Sequence, residues 1–187
     1  LVSLLNGILS SISQSAVAFF GVYYKLQTFI YMPTSGIVQG MRPLMSYNYG
    51  AKLKERMHQI LKVSGLVIAA ILGAGTLLFF IVPNVLLSLF NASSGMLEIG
   101  ETGLRILSLS FIVSSFGVLM SGVFEALGLG KYSLIVSLLR QLLITVPLAY
   151  ILLNVMGIEG IWLSFVIAEA IASIVAYILY RKKFKTI

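Results

Sequence analysis

Of 187 residues, 59% are hydrophobic and 10% charged, with a mean hydropathy of +1.03, which excludes a water-soluble single domain because such domains carry about 25% charged residues. The chain has no Cys, no Asp, a single His and Glu residues scattered one at a time, so thiol chemistry, a zinc thiolate site, a carboxylate dyad and a carboxylate metal cage all lack ligands. The net charge of +7 does not point to nucleic acid, because the Lys and Arg residues border apolar runs rather than forming one basic surface.

These priors predict an all-α, polytopic transmembrane bundle of about six spans, with no enzyme activity, metal or cofactor. The first apolar run, residues 1–12, is about half the length of a crossing and reads as the remainder of a span that begins before Leu1. A second, very long run covers residues 16–47. Its length predicts tilt or a kink, and Pro33 and Pro43, with Gly36 and Gly40 between them, remove backbone donors and allow bending. Pro33, Gly36 and Pro43 are therefore candidate hinges. The third span is residues 59–82, and residues 83–90 are too short to cross again and are assigned to the interface. Spans four, five and six are residues 100–126, 132–153 and 160–180, followed by a basic tail at 181–187. Short connections without a composition shift predict a single lobe. Trp162 and Tyr150, near the outer boundaries, fit an aromatic belt.

The basic residues alternate between connections. Residues 10–15, 91–101 and 154–160 carry no Lys, whereas Lys52, Lys54, Arg56 and Lys62 cluster in one connection, Lys131 sits in another, and Arg181, Lys182, Lys183 and Lys185 close the chain. By the positive-inside rule the tail is cytoplasmic.

An ionisable residue inside a span costs at least about 2.5 kcal/mol and usually faces the bundle interior or a wet cavity. Lys25 and Glu169 each lie about nine residues, roughly 13 Å, below the outer boundary and are placed to pair or to serve substrate or ion coupling. Arg140 and Gln141 lie about nine residues from the inner end of the fifth span, where the guanidinium reaches Glu125 or a cavity carboxylate. Arg105, beside Glu98 and Glu101, reads as an interfacial charge, and His58 as a solvated loop residue.

Met32, Pro33, Gly36, Gln39, Gly40, Pro43, then Tyr47, Asn48, Tyr49, Gly50, Ala51, Lys52 and Arg56, continued by Leu89, Phe90, Asn91, Gly128, Gly130, Arg140, Gln141, Pro147, Ala168 and Glu169, form a pattern that resembles the multidrug and toxic compound extrusion (MATE) family. The run Tyr47 to Ala51 looks like its signature. The resemblance spans the chain and matches the second six-helix lobe of a bacterial member. It implies a secondary antiporter in the inner membrane that exports organic cations and amphipathic drugs against sodium ions or protons, with the missing N-terminal lobe, the bilayer and the drug as partners. In some branches an acid in the fourth span of this lobe binds the coupling ion, but residues 112–122 hold none. A lipid-linked sugar flippase of the wider superfamily, and a non-transporting scaffold or fragment, are the alternative readings.

Overall fold

The computed structural model describes residues 1–184. Lys185 and the end of the predicted tail lie outside them. The described chain is helical, in the order α1 (Val2–Ser10), α2 (Gln14–Gly50), α3 (Lys54–Ile81), α4 (Pro83–Ser88), α5 (Ser94–Ala126), α6 (Gly130–Leu138), a π-helical segment (Leu139–Leu143), α7 (Thr145–Met156) and α8 (Ile158–Phe184). This is one lobe of a transmembrane bundle.

Among the described residues, four stretches are long and apolar enough to cross a membrane: Lys54–Ile81, Ser94–Ala126, Gly130–Met156 and Ile158–Lys183. α2 has the length but not the apolarity, since Lys25, Arg42 and several Gln, Ser and Tyr residues interrupt it. α1 has only nine residues. The expectation of about six spans thus becomes four apolar helices, one long helix with polar faces and one short helix.

Helices overrun the apolar segments that announce them, because hydropathy stops at the hydrocarbon edge whereas a hydrogen-bond ladder continues to a cap. Thus α3 begins at Lys54 rather than 59 and α5 at Ser94 rather than 100. Ser13 caps α2, its hydroxyl accepting from Ala16 N at 3.1 Å, and Ser93 caps α5 by accepting from Met96 N at 3.4 Å.

The run Tyr47 to Ala51 leads into a helix stop. Leu53 N donates to Asn48 O at 2.9 Å and Lys52 N to Tyr49 O at 3.0 Å, with Lys52 at φ 57°. This is the paired-bond pattern that ends a helix on a left-handed residue. α5 ends in the same way, with Leu129 N on Phe124 O at 2.7 Å, Gly128 N on Glu125 O at 3.1 Å, and Gly128 as the left-handed residue. α2 itself runs through both prolines, which removes the donors to the carbonyls of Phe29 and Gln39.

α5 is the central helix and packs against α2, α3, α4, α6 and α8. Small residues allow this closeness, as they do in lipid generally, where dispersion and shape rather than hydrophobicity hold helices together. A Cβ on Gly103 would lie 2.6 Å from the Phe19 ring, and one on Gly122 2.5 Å from Val38 Cγ1. Ala168, Ala172 and Ala176, spaced by four along α8, are fully buried. Ser173 donates to Val113 O at 3.0 Å between α8 and α5.

Trp162 departs from the sequence expectation. It is fully buried, edge-on to Phe19 at 5.1 Å and stacked with Phe20 at 6.2 Å, so it is a core anchor rather than a belt residue. Its ring packs on these aromatic neighbours, while its Nε1 has no hydrogen-bond partner among the described residues. Tyr150, by contrast, is exposed.

Candidate functional site

On α2 the residues Tyr24, Gln27, Tyr31, Ser35, Gln39 and Arg42 recur at intervals of three and four, which places them on one helix face. Three cavities follow this face. The first, about 150 Å³, is lined by Leu1 ahead of α1, Tyr24, Gln27 and Tyr31 of α2, Arg140 and Gln141 of the π segment, and Phe165 and Glu169 of α8. The second, about 320 Å³, is lined by Ser35, Gln39, Arg42, Glu125, Ser137 and Arg140 among others. A third, about 330 Å³ and more apolar, lies along Gln27, Thr28, Tyr31, Met32 and Ser35. Shared residues link them: Gln27 and Tyr31 join the first to the third, Ser35 the third to the second, and Arg140 the second to the first.

Charge on this face is paired. Arg140 Nε lies 3.7 Å from Glu169 Oε1, and both side chains are largely buried. Glu169 Oε2 has no hydrogen-bond partner among the described residues. Arg42 makes a direct ion pair with Glu125 Oε2, whose other oxygen accepts from Ser133 Oγ at 2.7 Å. Tyr31 is fixed by a 2.6 Å hydrogen bond between its hydroxyl and Ser114 Oγ of α5. The Arg140–Glu169 pair is the buried one, where a charge needs a partner, whereas Arg42 and Glu125 are partly exposed near the end of α5.

The π-helical segment positions Arg140 and Gln141. Its wider turn disrupts the regular ladder, and Thr145 Oγ1 donates to Arg140 O at 2.5 Å, giving that carbonyl a partner. Single π turns in helices occur often at functional sites.

Of the residues singled out from sequence, Arg140, Gln141 and Glu169 come together at the first cavity. Lys25 does not join them. It is exposed and does not line the cavity, and the expected Lys25–Glu169 pair is replaced by Arg140–Glu169. The reason is helical phase, because Lys25 sits about 100° around α2 from Tyr24. Of the two partners expected for Arg140, Glu125 or a cavity carboxylate, the structure gives the second, Glu169, while Arg42 and Ser133 hold Glu125. Pro33, Gly36 and Pro43 are exposed on a different side of α2, about 100° to 180° from the polar row. Arg105 pairs at 2.9 Å with Glu101, which also accepts from Asn84 Nδ2 at 3.0 Å.

Arg42, Tyr31, Gln27 and Gln39 escaped the sequence reading of ionisable and site residues. Their signal was present, as a polar row with helical spacing inside a run long enough to cross and an arginine directly before Pro43.

The profile of one protein family, MatE, matches residues 3–151. The multidrug export protein MepA of Staphylococcus saprophyticus is 26% identical over 175 residues, covering 94% of this chain and 38% of MepA. The chain therefore spans well under half the length of that relative. Among solved structures, a multidrug resistance MATE family transporter of the MOP superfamily superposes in its outward-facing conformation with a TM-score of 0.90 at 22% identity, covering 98% of this chain and 42% of the other. The inward-facing conformation of a transporter so described gives 0.90 and 22%, with 98% and 43% covered.

Proposed function

The chain belongs to the MatE family, and on that premise we propose that it is the second six-helix lobe of a secondary antiporter that exports organic cations and amphipathic drugs in exchange for sodium ions or protons. A first lobe forms the opposite wall of the cleft. The protein resides in a bacterial inner membrane with its basic end, including the tail, in the cytoplasm.

The observation that carries this reading is the linked row of cavities along α2, with Glu169, Arg140, Glu125 and Arg42 set into an otherwise apolar bundle. A polar track at that depth costs insertion energy, and a transported solute or ion is a reason for a bundle to carry it. The lobe fits outward-facing and inward-facing structures equally well, which supports a lobe that moves as a body. Rocking two such bodies exposes the cleft to each side in turn, and cargo and coupling ion select between the two packings by differential affinity. Glu169, Arg140 and Gln141 are assigned to the substrate or ion path. The paired arginines favour this reading over a flippase, which would want unpaired cations for a pyrophosphate.

The test is efflux of ethidium from drug-sensitive bacteria expressing the full-length protein. Ethidium leaves faster than from control cells, and collapsing either the sodium or the proton gradient, but not both independently, stops it. Glu169→Gln lowers efflux to the control rate. Control-level efflux by the wild-type protein at normal membrane abundance would refute the exporter reading.

A further inference from the structure

Arg140 contacts one carboxylate and shares a cavity with a second. Its Nε contacts Glu169 Oε1 at 3.7 Å in the first cavity, and the same side chain lines the second cavity, where Glu125 sits. The contact with Glu169 is long, at 3.7 Å, unlike the short parallel bonds of a locked arginine–carboxylate fork. Glu169 Oε2 remains without a partner. Around that carboxylate the cavity wall carries three aromatic rings, those of Tyr24, Tyr31 and Phe165. A carboxylate with several aromatic faces is the chemistry that recognises an organic ammonium or a cationic heteroaromatic. At about 150 Å³ the cavity admits a head group rather than a whole drug, because drug-sized sites start near 300 Å³. The adjoining groove along Thr28, Tyr31 and Met32 is apolar and larger, suited to the remainder of such a molecule.

We infer that Glu169 is a shared counter-ion, occupied by Arg140 as a tethered cation when the site is empty and by the head group of an organic cation when it is loaded. On loading, the guanidinium moves into the second cavity beside Glu125, which keeps Arg42 and gains Arg140. This rests on the exporter reading and adds to it the place of the cation and the residue it displaces. The π-helical segment supplies the local freedom, since Arg140 lies in a turn that is already wider than an α-helical one. A tethered competitor has a defined consequence: removing it strengthens cargo binding while depriving the empty site of its resting charge, so release suffers.

The experiment is an ethidium titration, followed by fluorescence, on the full-length protein in detergent, with efflux measured in parallel. Arg140→Gln lowers the Kd by about tenfold, equivalent to one competing ion pair. Arg140→Lys keeps a tethered cation and stays near the wild-type Kd. Glu169→Gln raises the Kd by at least about tenfold, and the double variant binds no more tightly than Glu169→Gln alone. Arg140→Met, which keeps the stem and drops the charge, replaces Arg140→Gln if the latter does not fold. An unchanged or raised Kd in both neutral variants overturns the competitor, as does a tenfold gain in the double variant over Glu169→Gln. If wild-type protein exports ethidium and the competitor test fails, only this inference falls. If wild-type protein neither binds nor exports it, the exporter reading falls as well.

Discussion

Lys52 adopts φ 57°, a conformation in which a side chain with a Cβ costs about 1 kcal/mol or more relative to glycine. Gly128 holds the same place at the end of α5. Lys52→Gly is therefore expected to raise the stability of the lobe by about 1 kcal/mol, read as a higher midpoint in thermal unfolding in detergent. The glycines divide by what surrounds them. A Cβ at Gly103 strikes the Phe19 ring, and one at Gly160 strikes the backbone carbonyl of Leu152, whereas Gly36 and Gly40 have nothing within 4 Å. Gly103→Ala and Gly160→Ala are expected to cost about 1–3 kcal/mol through overpacking. Gly40→Ala is expected to be neutral or to gain up to about 1 kcal/mol from helix propensity. Loss of efflux in Gly40→Ala with unchanged melting would mean that something other than this lobe packs on that face.

At the scale of the element, α2 presents two different faces. The polar row from Tyr24 to Arg42 lines the cavities, while Pro33, Gly36 and Pro43 lie on an exposed side. If bending at Pro33 serves transport, Pro33→Ala restores a donor for the Phe29 carbonyl, stiffens the helix, and lowers efflux without lowering stability. Unchanged transport removes Pro33 from the mechanism. The interrupted fifth span makes a sharper prediction. Deleting Leu142, one exposed residue of the π segment, restores an α-helical register and rotates the preceding residues by about 100° relative to α7. Arg140 then leaves Glu169, and efflux is expected to fall to background with normal membrane insertion.

At the scale of the molecule, the basic connections share one end of the bundle. The turns at 51–53 and 127–129 and the end of α8 all lie opposite the turns at 11–13 and 157. The proposed orientation is tested by single cysteines, since this chain contributes none of its own. Lys131→Cys is expected to react with an impermeant maleimide only after the cells are opened, and Asn154→Cys in intact cells. The reverse pattern inverts the topology and with it the direction assigned to transport.

By itself the sequence determined the class of the fold and most of its segments. Apolar runs of about 20 residues leave a chain no soluble option, and alternating basic connections repeat at loop spacing. The resemblance built on Tyr47 to Ala51, Arg140, Gln141 and Glu169 pointed to the family that the profile match then established. Tertiary structure decided the pairings. Lys25 and Glu169 share a depth, but depth is one coordinate of three, and the phase of α2 turns Lys25 away while the π segment brings Arg140 within reach of Glu169. Trp162 lies near a helix end, yet α2 and α5 close over it. Position along a helix is written in the local sequence, whereas which faces meet depends on how neighbouring helices pack, and that information is distributed over the whole chain.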